Sequence, residues 1–537
     1  MELISLPSVS STTKSPTSDF INNFETVRSW YRYNPFSEVD QAIAARSEGS
    51  AFREKLSAIL LEQHTRWPST EATTANIEAL AKPNTYAVVT GQQAGVFGGP
   101  LYTIYKTISV LKLCQKLQRD FPDKHFVPVF WLEVNDSDFE EISVVQYATK
   151  DNEMRHLKLK ENAADQSKPV DNRQIDAALA EWKETVSDDF FDTEFKADAL
   201  DMFFQAYRDG SYTDGFARLM LRLFGDKGIV LINPASKEIG ELALPLYEQA
   251  LTKNSETIEV LKQRSSDIIA AGYDPQISIR DNQTLLFYVN DEGRRLRLDT
   301  TDTGTFVAKD GDSYSVMSKD RLLQPGALTP NVALRPVLQD FLLPTVAYVG
   351  GPGEIAYFSQ VEALYRCLDI EMPLLYPRHR VSLIEKKVAR MVDKLGLDMH
   401  SVLTPGKASA ELIERGGSEI FKALDDAGIA IQELIGGLKD SILAADPQLE
   451  SAFNKTGGSI NNSFGKLTAN VKRSLEQKND IQMKQLAKIE LSVLPEGKPQ
   501  ERVFSYLYFA VKYGPDFLDE LMNILPLDTQ EPFVIAI

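Results

Sequence analysis

The sequence predicts an α/β protein: an open, largely parallel sheet, interrupted by a helical and a β-meander segment and followed by an antiparallel helical coiled coil. Three observations carry this reading. Apolar runs alternate with helical patterns through the first two thirds of the chain. One stretch, 273–320, alternates apolar and polar residues instead. Beyond Val381 apolar residues recur at three- and four-residue steps.

The first strand-like run is Tyr86–Thr90, and the stretch TGQQAGVFGGPLYTIYK carries it into a helical pattern over Leu101–Lys116. Phe126–Leu132 is nearly all apolar, as a strand buried on both faces would be. GIVLIN (Gly228–Asn233) lies between the helical patterns Phe216–Phe224 and Ser236–Leu251. TVAYV (Thr345–Val349) leads through Gly350-Gly351-Pro352-Gly353-Glu354 into a helix over Ile355–Cys367, and Pro373–Pro377 closes the series. Residues 150–215 are acidic with few apolar anchors and read as an inserted helical segment. The meander has Asp-Glu-Gly and Lys-Asp-Gly turns. Within it Met317-Ser318-Lys319 matches a short adenylating-enzyme signature, but Ser318 reads better as the N-cap of the helix that follows.

The coiled coil rests on Leu424, Ile431, Ile435, Leu438 and Ile442, then, after Asp446-Pro447, on Leu449, Phe453, Ile460, Phe464, Leu467, Val471 and Leu475. Gly428, Gly436 and Gly437 weaken the first helix and predict a bend. The aromatic helix Val503–Phe509 predicts burial against the sheet domain. The expected boundaries are 1–380 for the sheet domain, 381–500 for the coiled coil and 501–537 for a segment packing back on the core.

A net charge of −18 over 537 residues excludes nucleic acid as the main partner, since phosphate binding needs a basic face. The N-terminal MELISLPSVSSTTKSPTS lacks the pattern of a secretory signal, and no apolar run is long enough to span a membrane. A cytoplasmic protein is expected, with Cys114 and Cys367 reduced and buried. The five histidines lack metal-ligand spacing, so no metal site is predicted.

Three loops fall at the carboxyl ends of predicted strands, where ligands bind in open α/β sheets: Gly91–Gly99, Glu133–Asp138 and Gly350–Glu354. The first is either a long connection or a glycine-lined ligand cradle. In the second, Asp136 and Asp138 suit an amine, a hydroxyl or a cation, and suit equally well the cap of the helix that follows. Arg378, beside His379 at the end of the last strand, either receives a carboxylate or belongs to a salt-bridge cluster. GxxxxGK[ST], G-x-S-x-G and GxGxxG are all missing, so residue patterns alone do not name the reaction.

TGQQAGVFGGPLYTIYK, PVFWLEVNDSDFEEI, LRPVLQDFLLPTVAYVGGPGEIAYF, YPR and PQERVFSYLYFAVKYGP resemble, in order and spacing, the BshC family of bacillithiol biosynthesis over nearly the whole chain. The resemblance implies a Rossmann-like core related to adenylate-forming folds and a coiled-coil domain used to form a homodimer. It implies a cytoplasmic ligase that adds L-cysteine to glucosaminyl-malate, with ATP (or ADP as bound product) and Mg2+ as cofactors. It also implies that Gly91, Gln92, Gln93, Gly95, Gly98, Gly99 and Tyr102 line the crevice, with the helix start at Pro100 facing an anion. Asn135, Ser137, Gly351, Gly353, Glu354 and His379 are then further binding residues, with Asp136, Asp138 and Arg378 catalytic. Family members commonly carry Glu-Asp-His-Asp where this chain has Asn135-Asp136-Ser137-Asp138, and often histidine at Tyr105. Without those imidazoles an aspartate is the remaining base, and Asp138 is favoured. The competing class is a non-catalytic scaffold built on a degenerate adenylate-forming fold.

Overall fold

The computed structural model describes residues 1–4, 14–46, 52–478, 480–527 and 531–537. Most of the N-terminal stretch read for a signal, 5–13, lies outside them, as does the side chain of Leu475. The chain forms two compact units, Met1–Val381 with Glu501–Phe533, and Ser382–Gln500 with Val534–Ile537.

The first unit is built on β1 (Thr85–Gln93), α1 (Leu101–Asp120), β2 (His125–Glu133), the one-turn α2 (Phe139–Ile142), β3 (Val230–Ile232), α3 (Leu334–Leu342), β4 (Thr345–Gly350), α4 (Pro352–Cys367) and β5 (Leu374–Pro377). The five strands form one parallel sheet in the order β5-β4-β1-β2-β3. Period-two alternation explains the layers. Ala87 and Val89 of β1, with Val127, Val129 and Trp131 of β2, enter the larger core with α3 and α4. Tyr86, Val88 and Phe126 face the opposite way, against Val110, Leu113 and Leu117 of α1. The chain grows outward from β1 to β3, then returns to the other side of β1 to lay down β4 and β5. That reversal leaves a crevice at the carboxyl ends of β1 and β4.

Two departures concern the inserted segments. The stretch from 150 begins not with a helix but with a strand, Met154–Lys158, paired antiparallel to Val144–Ala148; the helices Ala178–Asp189 and Lys196–Ala206 follow. The short strand of alternating side chains escapes notice because its neighbour precedes the segment. The meander, Gln283–Val289, Arg295–Thr300, Phe306–Asp310 and Ser313–Val316, gains a fifth strand, Leu328–Pro330, on its other edge. Gly293 and Gly311 hold positive φ in its turns, which the expected turn sequences supply. The Ser318 hydroxyl accepts from the Arg321 N–H at 3.3 Å, the expected cap. Cys114 is buried and Cys367 only half-buried; both are free thiols.

In the second unit α5 (Lys407–Ala445) and α6 (Glu450–Lys478) form an antiparallel pair around Asp446-Pro447. α5 runs unbroken through all three glycines. Gly428 serves close packing: a β-carbon there would lie 3.1 Å from the Phe464 ring of α6. Gly457 does the same opposite Ile435, where a β-carbon would come within 3.3 Å.

Candidate active site

A cavity of about 440 Å³ opens where the first unit's strand order reverses. Its floor is the end of β1. A side chain at Gly91 would be crowded there, because a β-carbon would stand 3.0 Å from the Trp131 carbonyl oxygen on β2. Behind this floor Lys106, one and a half turns into α1, is buried. Its ammonium donates to the Gly91 carbonyl (2.8 Å) and Gln92 Oε1 (2.9 Å) and pairs with Glu354 Oε2 at 2.5 Å. Glu354 in turn accepts from the Gly351 N–H (2.8 Å) and the Tyr348 hydroxyl, closing the first turn of α4. Burial would raise the Glu354 carboxyl, but Lys106 and these donors hold it below its usual value. Burial lowers the Lys106 ammonium against the pull of Glu354. With its three donors used, Lys106 is a strut between the two loops.

The opposite wall comes from β2 and the inserted meander. Glu133 ends β2, and its Oε2 stands 3.1 Å from Arg335 Nε of α3. Burial pushes its carboxyl up to about 7 despite that guanidinium. Arg335 also donates to the Tyr357 hydroxyl at 2.6 Å. Asp136 accepts from Arg295 Nη1 (3.2 Å) and, on its other oxygen, from Gln93 Nε2 (3.3 Å). Arg295 is itself fixed by the Pro330 carbonyl, Thr329 and the Phe287 ring. Lys106, Arg295, Arg335, Arg378 and Arg502 line the cavity against Glu133, Asp136, Glu141 and Glu354. A chain of net charge −18 thus builds one pocket with a slight cationic excess.

Of the expected residues, Gly91, Gln92, Gln93, Tyr102, Asp136, Gly351, Gly353, Glu354 and Arg378 come together here. Others do not. Asp138 is exposed and does not line the cavity; its carboxylate accepts from the Glu140 and Glu141 N–H groups, capping α2. The capping alternative describes it, and the role of favoured base does not. Asn135 is buried behind the loop, and the Ser137 N–H and carbonyl are tied to Asp136 and Arg173. His379 is buried, with Nδ1 on Ser109 and Nε2 on the Pro526 carbonyl. Arg378 faces the cavity, but Glu501 already holds its guanidinium at 2.6 and 2.8 Å. It is half of a buried ion pair and has no free fork for a carboxylate.

The glycine loop divides. Gly95 and Gly98 form a turn that houses Phe97 in a cage with Phe203, Phe204 and Tyr207, and the Tyr207 hydroxyl donates to the Gly95 carbonyl. Gly99 lines a smaller neighbouring cavity, of about 210 Å³, that shares Tyr102, Glu141 and Arg502 with the main one. The N-terminus of α1 is not open to an anion, since the Leu101 N–H donates to the Phe504 carbonyl. The more open N-terminus belongs to α4: Pro352 carries no N–H and the Ile355 N–H bonds to the Gly351 carbonyl, which leaves the Gly353 and Glu354 N–H groups without a helix acceptor, and the space around Gly353 is empty. Sequence reasoning named Glu133 only as the start of a candidate loop, and missed Lys106, Arg295, Arg335 and Arg502. Only Glu133 carried a local signal, being the one charged residue closing an otherwise apolar strand. Among the described residues no cluster of three or more histidine, cysteine or carboxylate side chains is arranged to hold a metal.

A parallel sheet with its pocket at the strand-order reversal, and a long helical hairpin in a second unit, define a Rossmann-like protein with an appended coiled coil. The chain belongs to the BshC family. Residues 1–379 match the model described as the N-terminal Rossmann-like domain of bacillithiol biosynthesis BshC, and 381–535 match its C-terminal coiled-coil domain. Relatives named "Putative cysteine ligase BshC" include that of Salinibacter ruber, 32% identical over 97% of this chain and 95% of its own length. That of Chlorobaculum tepidum is 33% identical over 90% and 88%, and that of Bacillus thuringiensis 29% over 94% and 95%. No helix among the described residues is long and apolar enough to cross a membrane.

Proposed function

We propose that this chain joins the carboxylate of L-cysteine to the amino group of glucosaminyl-malate, forming an amide at the expense of ATP. The family and the names of the relatives support the ligase class. The observation that carries the substrate reading is the division of the cavity. One side offers the open N-terminus of α4 and Arg502, which is exposed and pairs with no described carboxylate. The other offers carbonyl and carboxylate oxygens from Gln93, Glu133 and Asp136. Malate carboxylates or nucleotide phosphates suit the first side, and an ammonium group suits the second.

ATP, when bound, supplies the leaving group that turns a carboxylate into an acyl donor. The residues fit such an anion: Gly353 and Arg502 would meet it, with Lys106 behind the floor. Mg2+ commonly takes one or two carboxylates plus phosphates, and Glu141, on the cavity wall, would be the carboxylate to meet it, since Arg295 and Gln93 already hold Asp136. The residues of the chain orient the two reactants over the floor of β1, exclude water on the β2 side and hold a carboxylate able to take a proton. The same reading makes the chain a homodimer through α5 and α6, whose Leu434, Leu438 and Leu467 are exposed. The test is to incubate the protein with cysteine, glucosaminyl-malate and ATP and to look for bacillithiol by mass spectrometry. Product that depends on ATP supports the reading; none, while a family relative works in parallel, leaves a binding scaffold.

A further inference from the structure

Gln93 and Glu133 are partners across the β1–β2 ladder, so their side chains leave the sheet on one face, into the cavity. Both present an acceptor without a donor. Gln93 Oε1 and Glu133 Oε2 are buried and accept no hydrogen bond, although Glu133 Oε2 forms an ion pair with Arg335 at 3.1 Å. The orientation of Gln93 is not arbitrary. Its Nε2 faces Asp136 Oδ2, and a flipped amide would set oxygen against carboxylate. Arg295 holds Asp136 from the far side, so the pair of acceptors is braced. Two orphaned oxygens on one wall ask for a ligand with several N–H donors on a single atom. A primary ammonium is that ligand; a phosphate or carboxylate would meet only lone pairs.

We propose that Gln93 and Glu133 form the subsite for the amino group of the acceptor, and that Glu133 is the base that frees it. This rests on the amide-forming reading above. The substrate ammonium gives one proton to the Glu133 carboxylate, leaving a neutral amine and a protonated carboxyl. The nitrogen lone pair then forms the bond to the acyl carbon, while the bond from that carbon to its activating phosphoryl oxygen breaks. The phosphoryl leaving group, phosphate or AMP, departs with that electron pair and takes the second nitrogen proton. Glu133 returns its proton to water before the next turnover.

Other groups face Glu133 from every side: Arg335 of α3, Arg295 of the meander, Asp136 and Glu141 beyond β2, Tyr247, and Tyr357 of α4. Burial and the two acids raise its carboxyl while the arginines lower it, and the balance falls near neutrality, where a base works best. Asp136 is already held by Arg295 and Gln93, which is why the base is assigned to its neighbour.

The test uses the full chain and has two readouts. Calorimetric titration compares glucosaminyl-malate with its N-acetylated form. Wild type should prefer the free amine at least tenfold, and both Glu133→Gln and Gln93→Met should erase most of that preference. Turnover is then followed against pH: the wild-type acid limb, with a midpoint near 7, should vanish in Glu133→Gln together with about a hundredfold loss of rate. Gln93→Met should raise KM for the amine more than it lowers kcat. If Glu133→Gln keeps the amine preference, or turns over within twofold of wild type with the limb intact, the assignment is wrong. If only that variant fails to fold, Gln93→Met decides the subsite in the same titration. Wild type that discriminates the amine yet forms no amide would sink the reaction and leave the subsite; product made equally well by both variants would do the reverse.

Discussion

Glu133 combines two roles that pull in opposite directions. A carboxyl whose pKa rises on folding is easier to deprotonate in the unfolded chain. Its contribution is therefore fully present below about 4.5 and is lost as pH rises towards about 7. Glu133→Gln mimics the protonated carboxyl, so at pH 8 it should melt higher than wild type, by up to about 3 kcal/mol. At pH 4 the two should melt alike. Differential scanning calorimetry at both pH values checks this, and a variant less stable at pH 8 would mean that the Arg335 pair outweighs the burial. His64 runs the other way. Its ring lies between Ser69 and the Leu231 backbone, and burial lowers its pKa to about 4. A histidine that resists protonation when folded contributes fully above about 6.5 and loses that contribution as pH falls to about 4. Replacing His64 with glutamine should flatten the pH dependence of the melting temperature in that window. Arg502, which pairs with no described carboxylate, is a cation that residue patterns did not single out. Arg502→Gln should raise KM for an anionic substrate about tenfold with little change in stability, whereas Arg378→Gln strands Glu501 and should lower stability by about 3 kcal/mol or more.

Secondary elements were legible where one period ran long enough. The five parallel strands are centred on short apolar runs, and the coiled-coil pair stands as a sustained apolar stripe. Met154–Lys158 was not legible, because its pairing partner lies before the segment and its alternation spans only five residues. The site was half legible for a related reason. Loops after strands mark the crevice, so Gln93, Asp136 and Glu354 could be found; Arg295, Arg335 and Lys106 reach it from a meander and from helix interiors, where a charged residue in sequence looks like solvated surface. The resemblance supplied a family but could not tell a wall residue from a cap, as Asp138 shows. Nor could it tell a cradle from a turn within one glycine loop. Gly95→Ala would put a β-carbon 2.9 Å from the Gly99 Cα and should cost about 1–3 kcal/mol, measured by chemical denaturation. Gly353→Ala meets nothing within 4 Å and should be neutral in the same assay.

For the molecule as a whole, the exposed apolar residues of the helical hairpin call for a partner surface. Ile435 is not among them: it faces Gly457 inside the hairpin, so its replacement would disturb the pair itself. Leu434 and Leu438 lie one turn apart at 69% and 55% exposure. Changing both to lysine should turn a dimer into a monomer in light scattering while the helical content stays; an unchanged mass would assign the stripe another role. The proposed chemistry is activation of a carboxylate by ATP and transfer of its acyl group to an amine in the cavity between β1 and β4. It is tested most directly by running the reaction with cysteine labelled with oxygen-18 in its carboxylate. For each amide formed, one labelled oxygen should appear in the phosphate or AMP released, and Glu133→Gln should slow both together. Amide without label in either product, or no amide at all from cysteine, glucosaminyl-malate and ATP, would contradict it.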